Sequence, residues 1–158
     1  MAELHEGDQA PGFDLPASTG GNIRLGDFRG RQKVVLYFYP RDMTPGCTQE
    51  ACSFRDLQEE FAAAGAAILG VSTDDLASHG KFAAKHELSF PLLSDAAAQV
   101  AEAYGVWKEK NRYGKRALGI ERTTFVIDEA GVIRKIYRKV KVDEHADQVL
   151  AAIRGLEA

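Results

Sequence analysis

The stretch KVVLYFYPRDMTPGCTQEAC, residues 33–52, decides the fold that the rest of the chain completes. Its opening run, KVVLYF, is largely apolar and rich in β-formers, which is typical of a strand buried on both faces. Pro45 then opens a helix that we expect to continue to Ala64, where Gly65 ends it. A buried strand that leads directly into a helix is the first unit of an α/β sandwich.

The remainder of the chain repeats this alternation. Further strands are predicted where β-forming runs recur, at 67–72, 90–93, 123–128 and 132–137, the last two forming a hairpin. Further helices are predicted after aspartates with capping chemistry, over 74–86, over 95–104 and from 143 onward. Residues 7–16 form an irregular or edge segment before a tight turn at 20–22. This order predicts an α/β fold: a thioredoxin-like sandwich whose mixed central β-sheet is flanked by helices, with an N-terminal β extension.

Bulk composition indicates an ordinary globular protein. The chain has 158 residues, of which 45% are hydrophobic and 27% charged, so we expect one domain over 1–158. The net charge of −3, without any basic block, argues against nucleic acid or a membrane surface as a partner. No secretory signal or membrane-spanning run is recognisable, so we expect a cytoplasmic protein, where a cysteine pair is more often catalytic than structural.

Both cysteines of the chain lie at the start of the predicted helix. Thr44 has the chemistry of an N-cap and Pro45 suits the first helical position, so Cys47 falls at the third. There, unpaired amide hydrogens and the positive end of the helix dipole favour the thiolate, the reactive form of cysteine. The alternative for Cys47 is a small buried side chain, but packing alone gives no reason for this position.

Helical geometry separates the two cysteines. At about 100° per residue, Cys47 shares the inward face of Phe54 and Phe61, whereas Cys52 falls on the outer face. Their Cα atoms would be roughly 8.5 to 9 Å apart in an intact helix, beyond the limit of about 7 Å for a disulfide. A disulfide between them therefore requires the first turns of the helix to unwind. The alternative is that Cys52 is a bystander on an exposed face.

The motif Pro40-x-x-x-Thr44-x-x-Cys47 resembles the active-site motif of the peroxiredoxins. The longer run FYPRDMTPGCTQEAC is similar to the bacterioferritin comigratory protein/peroxiredoxin Q subfamily, and the similarity extends from GDQAPGFDLP through TTFVID to KVDEHADQVLAAI. The resemblance implies a thiol-dependent peroxidase in which Cys47 is the peroxidatic cysteine and Cys52 the resolving cysteine. It also implies that Thr44, Pro40 and Arg122 complete the site.

The resemblance further implies a catalytic cycle. Cys47 attacks hydrogen peroxide or an alkyl hydroperoxide and becomes a sulfenic acid, the helix start unwinds, and Cys52 forms an intramolecular disulfide with it. Thioredoxin or a similar dithiol then reduces this disulfide. No cofactor or metal is expected, because nucleotide-binding glycine motifs are missing and the four histidines show no ligand spacing matched to the cysteines. Since both cysteines belong to one chain, we expect a monomer.

Physical reasons support the implied roles, and each residue has a simpler alternative. Arg122 could stabilise the thiolate and the breaking O–O bond, or be a surface residue at a strand end. The Thr44 hydroxyl could orient the peroxide, or only cap the helix. Pro40 could shield the thiolate from water, or only end the strand. Glu50 could pair with a cation near the pocket, or be an exposed first-turn acid. Trp107 is expected in the core or at the rim, without a catalytic role.

Two other functions remain open on residues alone. A thiol–disulfide oxidoreductase ordinarily uses C-x-x-C, whereas this chain has C-x4-C. A metal-binding or regulatory module would have only two cysteines as soft ligands, which hold a metal weakly.

Overall fold

The computed structural model describes residues 4–112 and 115–156, so both ends of the predicted 1–158 domain lie outside the described residues. The strands are β1 (Asp14–Pro16), β2 (Asn22–Arg24), β3 (Lys33–Phe38), β4 (Ala66–Ser72), β5 (Leu92–Ser94), β6 (Trp107–Arg112), β7 (Lys115–Ile120), β8 (Thr123–Ile127) and β9 (Ile133–Tyr137). The α-helices are α1 (Pro45–Asp56), α2 (Gln58–Ala63), α3 (Leu76–Lys85), α4 (Gln99–Ala103) and α5 (His145–Gly155). None of the helices in the described ranges combines the length and the apolar character that spanning a membrane requires.

A central sheet of five strands has the order β5-β4-β3-β8-β9. Strand β3 pairs in parallel with β4 and antiparallel with β8, so the sheet is mixed, as predicted. Every residue of β3 is buried, which agrees with the apolar KVVLYF pattern. Strands β8 and β9 form the predicted antiparallel hairpin, and β1 and β2 pair as the predicted N-terminal β extension. The thioredoxin-like sandwich expected from the sequence is the observed architecture.

The core consists of two layers, one on each face of the sheet. Alternate residues of β3 point to opposite faces, so Leu36 belongs to one layer and Tyr37 to the other. The first layer includes residues of the N-terminal extension and of α4. The second layer is covered by α1, α2, α3 and α5, and it contains Cys47 and Phe54. The end of α1 that carries Cys47 is therefore packed directly against the sheet.

The helix predicted over 45–64 is wrong in its length, because the chain contains two helices there. Helix α1 ends at Asp56, and Leu57 departs from helical geometry before α2 begins. Leu57 packs against the second core layer, and this tertiary contact competes with the local helical pattern. Gly65, at φ +77°, follows α2 in the left-handed conformation expected after a helix. The last helix also begins two residues later than predicted, at His145.

Strands β6 and β7 form a two-stranded hairpin that the sequence pattern does not predict. The segment WKEKNR carries charged residues at successive positions, so it lacks the apolar alternation by which a strand is recognised. Cross-strand pairing between the two segments, rather than an apolar face, forms this hairpin. It matters for function because its second strand forms one wall of the candidate site.

Candidate active site

Cys47 lies at the third residue of α1 and is almost fully buried, with 1% of its surface exposed. Its side chain belongs to the second core layer together with Ala51 and Phe54, so the predicted inward orientation is confirmed. The guanidinium of Arg122 reaches it from the segment between β7 and β8, and Nη2 donates a hydrogen bond to the sulfur at 3.3 Å. A permanent cation thus lies against a thiol at the positive end of a helix.

The other arm of the same guanidinium binds Glu50. Arg122 Nη1 donates to Glu50 Oε1 at 2.7 Å, and only 1% of Glu50 is exposed. Of the two possibilities for Glu50, the pairing with a cation is right and the exposed first-turn acid is wrong. Glu50 lies three positions after Cys47, on the same helix face, and this spacing is the sequence signal that could have favoured the pairing.

Burial changes the ionisation of these groups. Removal from water raises the pKa of Glu50 to about 7, although the charge and hydrogen bond of Arg122 oppose the change. The pKa of Arg122 is itself raised, since Glu50 and Cys47 outweigh the effect of burial, so its charge is permanent. Among the described residues, Glu50 Oε2 has no hydrogen-bond partner. Near neutral pH, Glu50 can therefore be either ionised or protonated. The ionised form offsets the positive charge of Arg122, whereas the protonated form leaves that charge to act on the Cys47 sulfur.

A cavity of about 550 Å³ opens beside this cluster. It is lined by Pro40, Arg41, Thr44, Gly46, Thr73, Trp107, Ala117, Leu118, Gly119, Ile120 and Arg122. Three of the predicted site residues, Pro40, Thr44 and Arg122, thus meet at one cavity. Trp107 lies at the rim and also packs on the first core layer, as expected. The hairpin supplies apolar residues to the lining, which also contains polar side chains, and this suits a substrate with one polar and one apolar end.

Gly46 gives Arg122 room to approach the helix start. A Cβ atom at Gly46 would lie 3.1 Å from Arg122 Nη2, closer than ordinary side-chain contacts. A larger residue at this position would displace the guanidinium from the sulfur. The glycine of the TPGC sequence is therefore part of the site geometry, which its position in the motif did not reveal.

Thr44 occupies the N-cap position of α1, but the prediction that its side chain caps the helix is wrong. Its hydroxyl instead donates to the carbonyl of Arg41 at 3.1 Å. A hydroxyl that donates in this way keeps lone pairs with which it can accept. Because Thr44 also lines the cavity, that oxygen can receive a hydrogen bond from a molecule bound there.

Cys52 is not part of this cluster. It is partly exposed on α1, and both cysteines are free thiols. Since α1 is continuous from Pro45 to Asp56, the separation of roughly 8.5 to 9 Å between the Cα atoms applies. The structure therefore brings together Cys47, Arg122, Thr44 and Pro40 and leaves Cys52 apart.

His145 lies behind the site, buried at the start of α5. Its Nε2 and the hydroxyl of Thr124 are 2.8 Å apart. Burial, together with the charge of Arg122, lowers the pKa of His145 to about 4, so its ring is neutral at neutral pH. A neutral ring adds no second cation near Cys47.

Comparison with known proteins places this geometry in a family. The model of the AhpC/TSA family matches residues 6–136. The putative peroxiredoxin bcp of Coxiella burnetii is 50% identical to the chain over 150 residues, which cover 95% of the chain and 99% of that protein.

Solved structures agree with this result. Xanthomonas campestris bacterioferritin comigratory protein was studied through trapped intermediate and ligand complexes that address its alkyl peroxide reduction activity. Its structure has a TM-score of 0.88 and 46% identity, covering 92% of each chain. A cysteine-to-serine mutant of Xylella fastidiosa PrxQ has a TM-score of 0.93 and 37% identity, covering 100% of each chain. At these identities the similarity concerns the sequence family as well as the fold.

Proposed function

Because the chain belongs to the AhpC/TSA family and is a thiol-dependent peroxidase, we propose that Cys47 is its peroxidatic cysteine. The observation that carries this proposal is the 3.3 Å hydrogen bond from Arg122 to the Cys47 sulfur, at the third residue of α1. The guanidinium charge and the positive end of the helix both favour the thiolate, which is the nucleophilic form.

In the proposed reaction, the Cys47 thiolate attacks one oxygen of hydrogen peroxide or of an alkyl hydroperoxide. The new S–O bond forms as the O–O bond breaks, and the second oxygen leaves as hydroxide or alkoxide and takes up a proton. The sulfur is oxidised to a sulfenic acid, and the peroxide is reduced to water or to an alcohol. Arg122 stabilises the negative charge that develops on the leaving oxygen. Its guanidinium N–H donors are already positioned at the cavity before the peroxide binds.

Thr44 and Pro40 have supporting roles in this proposal. The Thr44 oxygen accepts a hydrogen bond from the peroxide and so orients the O–O bond toward the sulfur. Pro40 presents a ring without an N–H group to the cavity and limits the access of water to the thiolate. Their place on the cavity wall, beside Arg122, supports both assignments.

Cys52 is the proposed resolving cysteine. After Cys47 is oxidised, the first turns of α1 unwind and the Cys52 thiol condenses with the sulfenic acid, which releases water and forms an intramolecular disulfide. Thioredoxin or a similar dithiol reduces this disulfide by thiol–disulfide exchange. The location of both cysteines on one helix supports the need for unwinding.

The proposed enzyme acts as a cytoplasmic monomer with a single domain and without a cofactor. The intramolecular cysteine pair removes any need for a second subunit in the cycle. The net charge of −3 gives no attraction to nucleic acid or anionic membranes. An alkyl hydroperoxide as well as hydrogen peroxide fits the apolar wall of the cavity, and alkyl peroxide reduction is reported for the Xanthomonas relative.

The test is a coupled assay with hydrogen peroxide, thioredoxin, thioredoxin reductase and NADPH. Cys47→Ser should abolish NADPH consumption, because no other group forms the sulfenic acid. Cys52→Ser should consume one equivalent of peroxide rapidly and then stop with thioredoxin as reductant. Rapid turnover by Cys47→Ser would overturn the assignment of Cys47, and full cycling by Cys52→Ser would overturn that of Cys52.

The same proteins distinguish a peroxidase from a thiol–disulfide oxidoreductase. We expect the native chain to consume peroxide quickly and to reduce insulin disulfides slowly. The family comparisons favour the peroxidase, and fast insulin reduction without peroxide consumption would contradict the proposal.

A further inference from the structure

A buried polar network lies beneath the loop that leads into α1. Asp42, in the middle of this loop, is almost fully buried, and its carboxylate accepts three hydrogen bonds. Tyr39 donates to Oδ1 at 2.6 Å, while Ser78 and the His79 ring nitrogen Nδ1 each bind Oδ2 at 2.7 Å. None of these groups is among the described residues that line the cavity, and the proposed chemistry leaves the network unexplained.

The network places a buried imidazole directly against a buried carboxylate. His79 is fully buried, and its two nitrogens face oxygen acceptors, Asp42 Oδ2 at 2.7 Å and the carbonyl of Leu93 at 2.9 Å. The ring satisfies both acceptors only when both nitrogens carry hydrogens. Although burial raises the pKa of Asp42, hydrogen bonds from His79, Tyr39 and Ser78 lower it overall, so the carboxylate is charged at neutral pH.

Backbone contacts fix the loop at the same residue. The amide of Asp42 donates to Asp74 Oδ2 at 2.6 Å, and Asp74 Oδ2 also accepts from the hydroxyl of Ser72 at the end of β4. The loop follows β3 in the chain, and these hydrogen bonds attach it to the end of β4 and to α3. The next residue, Met43, has φ +67°, a conformation that is unfavourable for its side chain. The chain is thus held firmly at Asp42 and is strained immediately after it, before Pro45 opens α1.

We propose that Asp42 and His79 are positioning residues that hold the peroxide pocket in its reactive geometry and mark the point beyond which α1 unwinds. This inference rests on the proposed function of Cys47 and Cys52. Pro40 and Thr44 flank Asp42 by two positions on either side, and both line the cavity. An intact network therefore holds the pocket residues in the geometry in which Cys47 meets peroxide. The turns of α1 that unwind before the disulfide forms lie beyond it.

The two catalytic steps can be measured separately. Oxidation of Cys47 by hydrogen peroxide is followed by stopped flow in a Cys52→Ser background. Trp107, the single tryptophan of the chain, lines the cavity and provides the fluorescence signal. Disulfide formation is followed with Cys52 present, by rapid acid quench, thiol alkylation and mass spectrometry.

His79→Leu removes both ring hydrogen bonds, and His79→Asn keeps a donor near the position of Nδ1. We expect His79→Leu to slow Cys47 oxidation about tenfold or more, which corresponds to the loss of a charge-assisted hydrogen bond. His79→Asn should recover most of this loss, and disulfide formation should be unchanged or faster in both variants. Ser78→Ala removes one donor to Asp42 and should slow oxidation less than His79→Leu.

Ser18→Ala is the matched control. Its hydroxyl accepts a hydrogen bond from the amide of Leu92 at 3.0 Å. Leu92 lies on the edge strand β5, next to Leu93, whose carbonyl binds His79, but Ser18 is not bonded to Asp42. We expect native oxidation kinetics in this variant. Equal slowing by Ser18→Ala and His79→Leu would overturn the proposal, because general destabilisation would then explain both.

Native oxidation rates in His79→Leu and Ser78→Ala would also overturn it. If His79→Leu does not fold, a native oxidation rate in Ser78→Ala, which lacks one donor to Asp42, would do the same. A failure of the proposed function is recognised separately, because Cys47→Ser would then retain turnover.

Discussion

Glu50 shows how burial alters the chemistry of one carboxyl group. It is paired to Arg122 through Oε1, yet burial raises its pKa to about 7 from an ordinary value of 4.5. The folded protein therefore holds a proton on Glu50 over a pH range in which the unfolded chain has lost it. Since the folded state binds more protons there, the free energy of unfolding falls as the pH rises from about 4.5 to 7.

Glu50→Gln should remove this part of the pH dependence and keep the hydrogen bond to Arg122. The native protein should lose about 2 to 3 kcal/mol more unfolding free energy than the variant does when the pH is raised from 5 to 8. Urea unfolding of the reduced proteins at both pH values measures it. Parallel stability profiles would mean that Glu50 is ionised throughout.

Arg122→Lys tests the two-armed contact of the guanidinium. Lysine keeps the positive charge but cannot donate to Glu50 and to the Cys47 sulfur with the same planar geometry. We expect the rate constant of Cys47 oxidation by hydrogen peroxide to fall by about 10- to 100-fold. Arg134→Lys, at an exposed arginine that pairs with Asp128, is the matched control and should react like the native protein. Native kinetics in Arg122→Lys would show that charge alone suffices.

At the scale of a structural element, helix α1 has two conflicting tasks in the proposed cycle. Its first turn places the Cys47 sulfur against Arg122, and the same turns must open before Cys52 can reach that sulfur. The stability of this helix start should therefore control disulfide formation and have little influence on the reaction with peroxide.

Thr48→Ala and Thr48→Gly test this division, because Thr48 lies between the cysteines and has no side-chain hydrogen bond among those described for α1. Glycine is less favourable than alanine in a helix by about 1 kcal/mol, so unwinding should be about fivefold more favourable in the glycine variant. We expect the disulfide to form about fivefold faster in Thr48→Gly than in Thr48→Ala, with similar rates of Cys47 oxidation. Equal rates of disulfide formation would contradict an unwinding step that limits resolution. Quenched-flow mass spectrometry provides both rates.

The β6–β7 hairpin supplies apolar residues to the cavity wall, among them Leu118, which is 61% exposed. Leu118→Asn should lower kcat/KM for cumene hydroperoxide by about 3- to 10-fold, because an apolar contact with the substrate is lost. The value for hydrogen peroxide, which has no apolar part, should stay unchanged. An equal decrease for both peroxides would indicate damage to the site rather than a lost contact.

At the scale of the whole molecule, a buried histidine makes the stability of the fold depend on pH. His145 is buried and neutral, since burial and the charge of Arg122 lower its pKa to about 4 from 6.5. Between about pH 4 and pH 6.5, the His145 ring carries a proton in the unfolded chain but not in the folded protein. Stability from this group is therefore complete above about pH 6.5 and is lost as the pH falls toward 4.

His145→Gln should make acid destabilisation shallower between pH 6.5 and 4, measured by urea unfolding at half-unit intervals. His5→Gln changes an exposed histidine and serves as the matched control, with a stability profile parallel to that of the native protein. If the His145→Gln profile also runs parallel to the native one, another group causes the loss of stability in acid.

Much of the molecule follows from local sequence. The KVVLYF run predicts the central strand because a strand buried on both faces needs a continuous apolar sequence. Pro45 and the position of Cys47 predict a thiol at a helix start, and helical periodicity predicts its inward orientation. These features depend on residues a few positions apart, whose geometry is set by backbone conformation. The same reasoning fails where local patterns are weak, as in the charged strand β6.

Only the tertiary structure decides which groups meet at the sulfur. Arg122 is 75 positions from Cys47 in the sequence, and the packing of β8 beside β3 brings it within 3.3 Å. The burial of Glu50 and the direction of the Thr44 hydroxyl depend on neighbours supplied by other elements. Sequence by itself determined the proposed nucleophile and the start of its helix. Its cation, its cavity and the anchored loop beneath it required the folded chain, because desolvation and charge pairing arise only when distant segments pack together.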